Sequence, residues 1–575
     1  MRLSNADFAA ILQEVADLLE IDGANSFRVR AYRNAAETIG DLGRAISDMA
    51  NKGEDLTTLP GIGKDLAAAI NELAVKGTYQ DLDELRSRVN PSLRDLLRIP
   101  GLGPKKVRKL RDELDIQNLD DLQIAVSNGR LATLEGFGKK SEEKIARELE
   151  AGRTKKARRR WADVEAAATD FERLLAGVPG VEQADAAGSY RRKRDTIGDL
   201  DVLASAVDSG PPITAFVESD RVVQITGHGD TRAAVVLRDG LAVDLRVVRP
   251  ESYGAALLYF TGSKDHNIVL RQRAIERGWK LNEYGLYDRD DVMLAGASEA
   301  DVYEKLELPC IVPELRENRG EIEAAEQSIL PHLITIEDIR GDIHAHSTWS
   351  DGKSTIEEMA RAAMDRGYEY LAITDHSPRL AMTRGLNPEQ LRQQAVEIES
   401  VQRALPQITI LHGNEVDILR DGSLDQPDDA LAELEVVIAS VHSHFDLSRD
   451  EQTERVLRAI ANPHVRILGH LHGRLLTQRD GIDLDFERIC KAAVDAGVAF
   501  EINADPHRLD IDDRTAKFAK SLGAKFVINT DAHRTIGYDL MRHGIAQARR
   551  GWLEAGDVLN TYRLSEFRSA LRPKP

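Results

Sequence analysis

The order of apolar and polar residues divides the chain into three parts with different periodicity. Residues 1 to about 150 have the spacing of amphipathic helices, and residues from about 161 to 325 mix helices with strands. From about 338 to 575, seven apolar strands alternate with helices, and nearly every strand ends in polar residues. This last pattern predicts a (βα)7-like barrel with its active site at the C-terminal ends of the strands.

Three glycine-rich turns interrupt the helical part at intervals of about 35–40 residues. They read LPGIG at 59–63, IPGLG at 99–103 and LEGFG at 134–138, and an amphipathic helix follows each. A helix that starts directly after Gly-x-Gly leaves its first backbone N–H groups open to an anion such as a DNA phosphate. Glycine also caps helices, but three tandem copies favour phosphate contacts. The candidate residues are Gly61, Gly63, Lys64, Gly101, Gly103 and Lys105. The basic run RTKKARRR at 153–160 fits a DNA contact or a solvated linker equally well.

The stretch GSYRRKRDTIGDLD at 188–201 carries the first candidate site. Gly188 and Ser189 form a turn that can present backbone N–H groups to a phosphate, with Arg192 beside it. Asp199 and Asp201 lie two apart in an apolar strand, so both carboxylates face one way and repel each other unless divalent ions lie between them. Asp244 in GLAVDLRVV is a third strand carboxylate, as two Mg²⁺ ions would need. The layout predicts metal-dependent nucleotidyl transfer; the alternative is an exposed strand with solvated charges.

Composition narrows the class of protein. The length suggests about three to five domains, and the formal net charge of −19 is unfavourable for a protein that simply coats nucleic acid. Cys310 and Cys490 lie far apart, which fits a reducing cytoplasm and excludes a disulfide framework or a cysteine-based zinc finger. The first residues form an amphipathic helix rather than a signal peptide, and no apolar run approaches roughly 18 residues, so no membrane span is expected.

Histidine is concentrated in the barrel: twelve of the fifteen histidines lie after residue 340. A lone histidine is most often structural, but histidines that recur at equivalent strand ends indicate metal. The predicted ligands are His344, His346, Asp351, His376, Glu415, His442, His470, Asp531 and His533. Nine nitrogen and oxygen ligands suit two or three Zn²⁺ or Mn²⁺ ions, which could support cleavage of a phosphoester. We expect positions behind the ligands or at the surface for His412, His444, His472 and His507.

These motifs resemble the family X DNA polymerases of bacteria that carry a C-terminal polymerase-and-histidinol-phosphatase (PHP) domain. The resemblance rests on GS-x-RR with D-x-D, YFTGS with a following Asn and Arg, the helix-hairpin-helix copies, and H-x-H…TDH…E…H…H…DAH. It implies a polymerase palm that uses Mg²⁺ or Mn²⁺, with Asp199, Asp201 and Asp244 as ligands and Asp244 as acceptor of the primer 3′-hydroxyl proton. It also implies a Mn²⁺-stimulated 3′–5′ exonuclease in the barrel, whose metal positions match the nine residues.

The same resemblance assigns the nucleotide pocket. Ser189 and Arg192 look like ligands of the incoming triphosphate. The family's sugar-facing wall corresponds here to a segment with Tyr259, Phe260, Gly262 and Ser263. The two aromatic residues could also be ordinary core residues. Asn267 and Arg271 resemble the residues that contact the nascent base pair and the template strand.

The chain departs from the family at two positions. Lys193 stands where GS-x-RR is usually followed by glycine, which adds a charge beside the triphosphate. Ala69 stands where the polymerase beta branch has the lysine of its abasic-sugar lyase, so we expect little lyase activity by that route. Lys64 is the nearest amine and more plausibly pairs with a phosphate. Arg28, Tyr32 and Arg33 occupy positions that resemble that branch's 5′-phosphate pocket.

The sequence thus predicts a multidomain α and α/β protein. Its predicted parts are a first helical domain at 1–90, a fingers-like helical domain at 91–155, a palm at 156–250, a thumb at 251–325, a linker at 326–337 and the PHP barrel at 338–575. The leading hypothesis is a monomeric, cytoplasmic, nucleoid-associated enzyme that uses dNTPs to fill short gaps in primer–template DNA. Two alternatives remain open: a template-independent nucleotidyltransferase fused to a small-molecule phosphatase, and a non-enzymatic DNA-binding scaffold.

Overall fold

The computed structural model describes residues 5–40, 46–99, 101–134, 136–138, 141–142, 145–146, 149, 158–379 and 382–571. Residues 153–157 of the basic run and most of residues 139–150, where the sequence predicts a helix after the third Gly-x-Gly turn, lie outside the described residues.

The N-terminal part is helical, as predicted. Its buried apolar residues form one cluster from Phe8 to Leu149, and a boundary near residue 90 stays a prediction. The α-helices are Asn5–Asp22, Ser26–Gly40, Ile46–Asn51, Lys64–Lys76, Gln80–Arg88, Pro104–Leu114 and Leu119–Ser127.

A five-stranded sheet forms the palm. Its strands, in spatial order, are Val181–Ala186, Leu200–Ala206, Ala242–Val248, Arg232–Leu237 and Val222–His228. Leu200–Ala206 and Ala242–Val248 run parallel and the other neighbours antiparallel. Helices Trp161–Ala176 and Gly210–Val217 supply apolar side chains to the same core. This central parallel pair carries Asp201 and Asp244, and Asp199 directly precedes its first strand.

The thumb combines helices with a small antiparallel sheet. The helices are Tyr253–Thr261, Lys264–Glu276, Glu299–Lys305 and Glu321–Glu326, and the strands are Lys280–Asn282, Gly285–Tyr287 and Met293–Ala295. Thr261 ends the first helix, and Ser263 caps the second by accepting a hydrogen bond from the His266 backbone N–H at 3.2 Å. The YFTGS segment is therefore the junction of two helices.

The C-terminal part is a seven-stranded parallel barrel, as predicted. Its strands are Gly341–Asp342, Tyr370–Ile373, Thr409–Asp417, Val436–Ser440, Ile467–Gly469, Ala499–Asn503 and Phe526–Asn529, paired in sequence order. A bridge between Ala345 and Ala532 links the segments that follow the first and the last strands, so the barrel is nearly closed. The outer helices are Ile356–Asp365, Pro388–Ala404, Asp428–Glu433, Arg449–Ala461, Phe486–Ala496, Asp513–Ser521 and Met541–Arg550. Parallel strands covered on both faces read as short hydrophobic runs, and here polar residues enter mainly toward their C-terminal ends.

The helix Met541–Arg550 joins the barrel to the palm. Met541 and Ala548 belong to the barrel core, whereas Ala546 belongs to the palm core. Trp161 of the palm packs edge-on against His543 of this helix, with ring centroids 5.1 Å apart. Across the described ranges, we find no helix with the length and apolar character of a membrane span.

Candidate active sites

Glu415 is the centre of the barrel site. It lies in strand Thr409–Asp417, is 1% exposed, and its carboxylate is close to five imidazoles. Its Oε2 lies 2.8 Å from His376 Nδ1, 3.5 Å from His344 Nε2 and 3.7 Å from His346 Nε2, and its Oε1 lies 2.9 Å from His470 Nε2 and 3.3 Å from His442 Nε2. A carboxylate surrounded in this way has the position of a bridging ligand.

Asp531 and Asp351 complete the predicted set. Asp531 Oδ1 lies 3.0 Å from His346 Nε2, and Asp351 Oδ1 lies 3.3 Å from His533 Nε2. Three sets have ligand atoms within 4.8 Å of one another: His346, Asp351, His376 and His533; His344, His346 and Asp531; and His376, Glu415 and His442. Because His470 contacts Glu415, the structure brings all nine predicted residues to one end of the barrel.

The chemistry of these side chains fits divalent metal ions. Buried atoms without a hydrogen-bond partner include His344 Nε2, His346 Nε2, both oxygens of Glu415 and Asp531 Oδ1. Buried polar atoms are normally paired because leaving them unpaired is costly. These atoms face one another, and their mixture of imidazole nitrogen and carboxylate oxygen is one that Zn²⁺ and Mn²⁺ accept.

Protonation in the site follows from burial and mutual charge. Burial raises the pKa of Glu415, but His442, His376 and His344 hold it well below its usual range. Burial lowers the pKa of His346 to about 3. Glu415 is therefore ionised and His346 neutral near pH 7. Burial lowers the pKa of His442, but Glu415 and Asp417 raise it to about 10, so metal binding at His442 would displace a proton.

Two carboxylates that the sequence reasoning missed orient the ligands. Glu501 Oε1 lies 2.6 Å from His344 Nδ1, and Asp417 binds His442 Nδ1. Hydrogen bonds of this kind fix which imidazole nitrogen faces the metal. Asp417 could have been found from the sequence, because it lies two residues after Glu415 in a strand and therefore shares its face. Glu501 lies in the strand segment VAFEINADP, where nothing in the local sequence marks its partner.

The four histidines that we did not expect to bind metal stay outside the ligand sets of the described residues. His472 Nδ1 lies 3.1 Å from Asp510, and His507 Nδ1 lies 2.8 Å from Asp505.

In the palm, the Gly188 turn lies against Asp201, one of the three predicted carboxylates. A Cβ built on Gly188 would lie 2.2 Å from Asp201 Oδ2, and Gly188 has a φ of +61°, so glycine is required here. Asp201 and Asp244 are directly opposite each other in the parallel pair, and Asp199 precedes the strand.

The palm carboxylates are less converged than the barrel ligands. No palm trio of the described residues has its oxygens within 4.8 Å of one another. Asp244 Oδ1 instead lies 3.1 Å from Arg232 NH2 on the neighbouring strand. Carboxylates close together repel, and a guanidinium offers Asp244 a counter-charge.

The basic residues that follow Ser189 are paired with the thumb. Arg192 Nε lies 3.0 Å from Glu317 Oε1, and its NH1 donates to the Thr261 carbonyl. Lys193 has a φ of +52°, which explains why glycine suits this position, and its Nζ lies 3.1 Å from Glu314. The charge expected beside the triphosphate is thus directed to the thumb.

The thumb residues of the predicted pocket lie around the same turn. Tyr259 and Phe260 are edge-to-face with centroids 5.2 Å apart, and Tyr259 is 38% exposed. Arg192 NH1 is 3.2 Å from the position of a Cβ on Gly262, so the two turns are in contact. Asn267 Nδ2 donates to the Tyr259 carbonyl at 2.7 Å, and Arg271 Nε donates to the Asn267 carbonyl at 3.3 Å.

The first two glycine-rich turns have open helix starts. Gly63 and Gly103 are the N-caps of Lys64–Lys76 and Pro104–Leu114, without a side-chain cap, and Lys64 and Lys105 are exposed. Gly61 and Gly101 have φ values of +76° and +98°, which only glycine adopts easily.

Two residues of the expected 5′-phosphate pocket are paired with acidic side chains, and the third is buried. Arg28 is paired with Asp81 at 3.1 Å and Arg33 with Glu20 at 2.5 Å, whereas Tyr32 is buried in the helical core. The acidic neighbours compete with any phosphate for both arginines.

Comparisons with known proteins agree with this arrangement. Residues 3–79 match a helix-hairpin-helix domain, 93–151 a SAM-like helix-hairpin-helix tandem, 256–317 the DNA polymerase beta thumb and 342–505 the PHP domain. The chain is 38% identical over 569 residues to the DNA polymerase/3′-5′ exonuclease PolX of Bacillus subtilis (strain 168), which covers 98% of this chain and 99% of that protein. It is also 36% identical over 169 residues to a probable phosphatase of Thermoanaerobacter sp. (strain X514), over 28% of this chain and 63% of that protein.

The relative from Bacillus subtilis aligns with this chain from end to end, and the matched regions follow the order of helical part, thumb and barrel. On this evidence, the chain belongs to the bacterial family X DNA polymerases that carry a C-terminal PHP domain.

Proposed function

We propose that this protein is a DNA-directed DNA polymerase that fills short gaps during DNA repair and trims 3′ ends with a Mn²⁺-dependent 3′–5′ exonuclease in its PHP barrel. The observation that carries the proposal is the presence of two sets of site residues on one chain: the Gly188 turn against Asp201, which lies opposite Asp244, and Glu415 with the eight other predicted ligands.

In the palm, Asp199, Asp201 and Asp244 would hold Mg²⁺ or Mn²⁺, which supplies positive charge to the triphosphate and the attacking oxygen. Ser189 and Arg192 would hold the triphosphate, and Asp244 would accept the proton of the primer hydroxyl. Tyr259 and Phe260, beside Gly262 and Ser263, would pack on the sugar. Asn267 and Arg271 would face the nascent pair and the template.

In the barrel, the nine ligands would hold two or three Mn²⁺ or Zn²⁺ ions, which stabilise the charged oxygens of phosphoester cleavage. Glu501 and Asp417 keep His344 and His442 oriented toward them. The helix starts after Gly63 and Gly103 would grip the DNA backbone without reading its sequence. We further propose that the protein acts as a monomer in the cytoplasm, where its DNA and dNTPs are found.

Addition of dNTP to a one-nucleotide gap tests the palm. Asp199→Ala is expected to abolish templated addition and to leave Mn²⁺-dependent 3′ degradation intact. Asp208→Ala, an exposed aspartate just after the same strand, is the matched control. If the Asp199 variant still adds dNTP, the palm assignment is wrong; if the parent adds dNTP without regard to the template, the alternative of a template-independent transferase holds.

Degradation of a mismatched 3′ end in Mn²⁺ tests the barrel. His344→Ala is expected to abolish degradation while gap filling continues. His507→Ala, at an exposed histidine outside the ligand sets, is the control. Unchanged degradation in the His344 variant contradicts the exonuclease assignment.

A further inference from the structure

The nucleotide turn of the palm is held by buried charges from two other domains. Glu317 of the thumb accepts from Arg192 at 3.0 Å and from Arg194 at 3.4 Å. From the barrel, Arg550 NH1 donates to the same Glu317 Oε1 at 3.1 Å. The side chains of Arg550, Glu317 and Arg192 are 2%, 10% and 13% exposed, so these charges depend on one another for compensation.

Arg550 also contacts the turn directly. Its NH1 donates to the backbone carbonyl of Arg192 at 2.7 Å, and its NH2 is anchored by Asp513 of the barrel at 2.6 Å. A parallel connection runs from Lys193 to Glu314 at 3.1 Å and from Glu314 to Arg549 at 2.9 Å. The end of the barrel helix Met541–Arg550 therefore meets the turn at Arg192 and Lys193.

The sharing of Glu317 has a consequence for nucleotide binding. A triphosphate that recruits Arg192 competes with Glu317 for its guanidinium. Burial raises the pKa of Glu317, but Arg550, Arg192 and Arg194 hold it below its ordinary value, so the carboxylate stays charged. When Arg550 is present, Glu317 keeps a buried partner as Arg192 turns to the phosphate. Without Arg550, Glu317 would retain Arg192 more strongly.

We propose that Arg550 of the PHP barrel is a positioning residue for dNTP binding in the palm, because it shares Glu317 with Arg192. This inference rests on the proposed polymerase function. It assigns to the PHP domain a role in synthesis that is separate from its own metal site.

Steady-state gap filling with the full-length protein tests the proposal. Arg550→Ala is expected to raise the KM for dNTP about tenfold, the value of one charge-assisted hydrogen bond, with kcat within about twofold of the parent. Arg542→Ala is the matched control, because Arg542 lies on the same helix and contacts the palm at Glu165 (2.7 Å) without touching the turn. Exonuclease activity of each variant reports whether its barrel is intact.

The route through Glu317 is tested by a double-mutant cycle. In a Glu317→Gln background, Arg550→Ala is expected to change the KM by less than about threefold, because the competing carboxylate is gone. Equal KM values for the Arg550 and Arg542 variants overturn the proposal, and so does a full tenfold effect in the Glu317→Gln background.

A folding defect is handled by a conservative variant. If Arg550→Ala does not fold, Arg550→Lys keeps the charge but cannot reach Glu317, the Arg192 carbonyl and Asp513 together, so its KM is expected to rise severalfold. No rise overturns the proposal. Failure of the proposed function is distinct, since the parent itself would then show no templated addition.

Discussion

The barrel site and the palm site differ in how their charged side chains are buried and paired. The barrel closes its sheet around a buried carboxylate, and its ligands lie within metal-binding distance of one another. The palm places three partly exposed carboxylates on or next to its central pair of strands, where Asp244 is paired with Arg232 instead. A site that is buried and oriented by Glu501 and Asp417 is suited to resident ions. A site that is open and partly neutralised by an arginine suits ions that arrive with a triphosphate, since Mg²⁺ takes several of its ligands from substrate phosphates and water.

The most damaging change in the barrel is expected at Glu415, because five imidazoles depend on its carboxylate. Glu415→Gln should lower bound metal and 3′ degradation more than about a hundredfold, since the loss of a group behind a ligand already costs 10–100-fold. Gap filling should change by less than twofold. Metal analysis and both activity assays check this, with the exposed Glu433→Gln as control. Normal metal content in the Glu415 variant would show that Glu415 is not a central metal ligand.

The next largest effect is expected from the two carboxylates that orient histidine ligands. Glu501→Gln removes the carboxylate that holds His344 Nδ1 and should weaken metal affinity about 10–100-fold. Competition with a chelator measures the affinity, and Asp417→Asn should act in the same direction through His442. If neither variant loses affinity, the ligands are held by the backbone alone.

The ion pairs of Glu299 between palm and thumb should weaken at low pH. Burial raises the pKa of Glu299, but Arg191 and Arg316 lower it to about 2, so its contribution is present above pH 4.5 and is lost as the pH falls toward 2. Glu299→Gln should destabilise the protein on the order of 3 kcal/mol at pH 7. Chemical denaturation should show that the difference in free energy of unfolding between parent and variant is smaller at pH 3.5 than at pH 7. An equal difference in free energy of unfolding at the two pH values contradicts the stabilising role given to the Glu299 charge.

The smallest effect is expected at Arg232. Its pair with Asp244 is partly exposed, at 56% and 32%, and such pairs contribute little. Arg232→Ala should therefore lower the Mg²⁺ concentration for half-maximal gap filling only about twofold. Arg249→Ala, at an exposed arginine directly after the strand that carries Asp244, serves as control. A large loss of activity instead would show that Arg232 serves the reaction rather than masking Asp244.

Local patterns in the sequence were sufficient for the elements and for most candidate residues. Strand periodicity placed Glu415 at a strand end, and Asp199 and Asp201 beside one apolar strand, because these features involve neighbouring residues. The 5′-phosphate residues were harder to judge. Arg28 and Arg33 are visible in the sequence, but their acidic partners Asp81 and Glu20 become neighbours only when the helices pack.

The sequence by itself determined the chemical inventory: the glycine at 188, the strand carboxylates, the histidines at recurring strand ends and the order of the domains. The tertiary structure alone decided which charges meet. Lys193 turns to Glu314, Glu501 supports His344 and Arg550 reaches Glu317, and these partners are separated by more than a hundred residues along the chain. Such contacts depend on domain docking and strand order, and a charge that docking buries, such as Glu501 or Arg550, is costly without a partner.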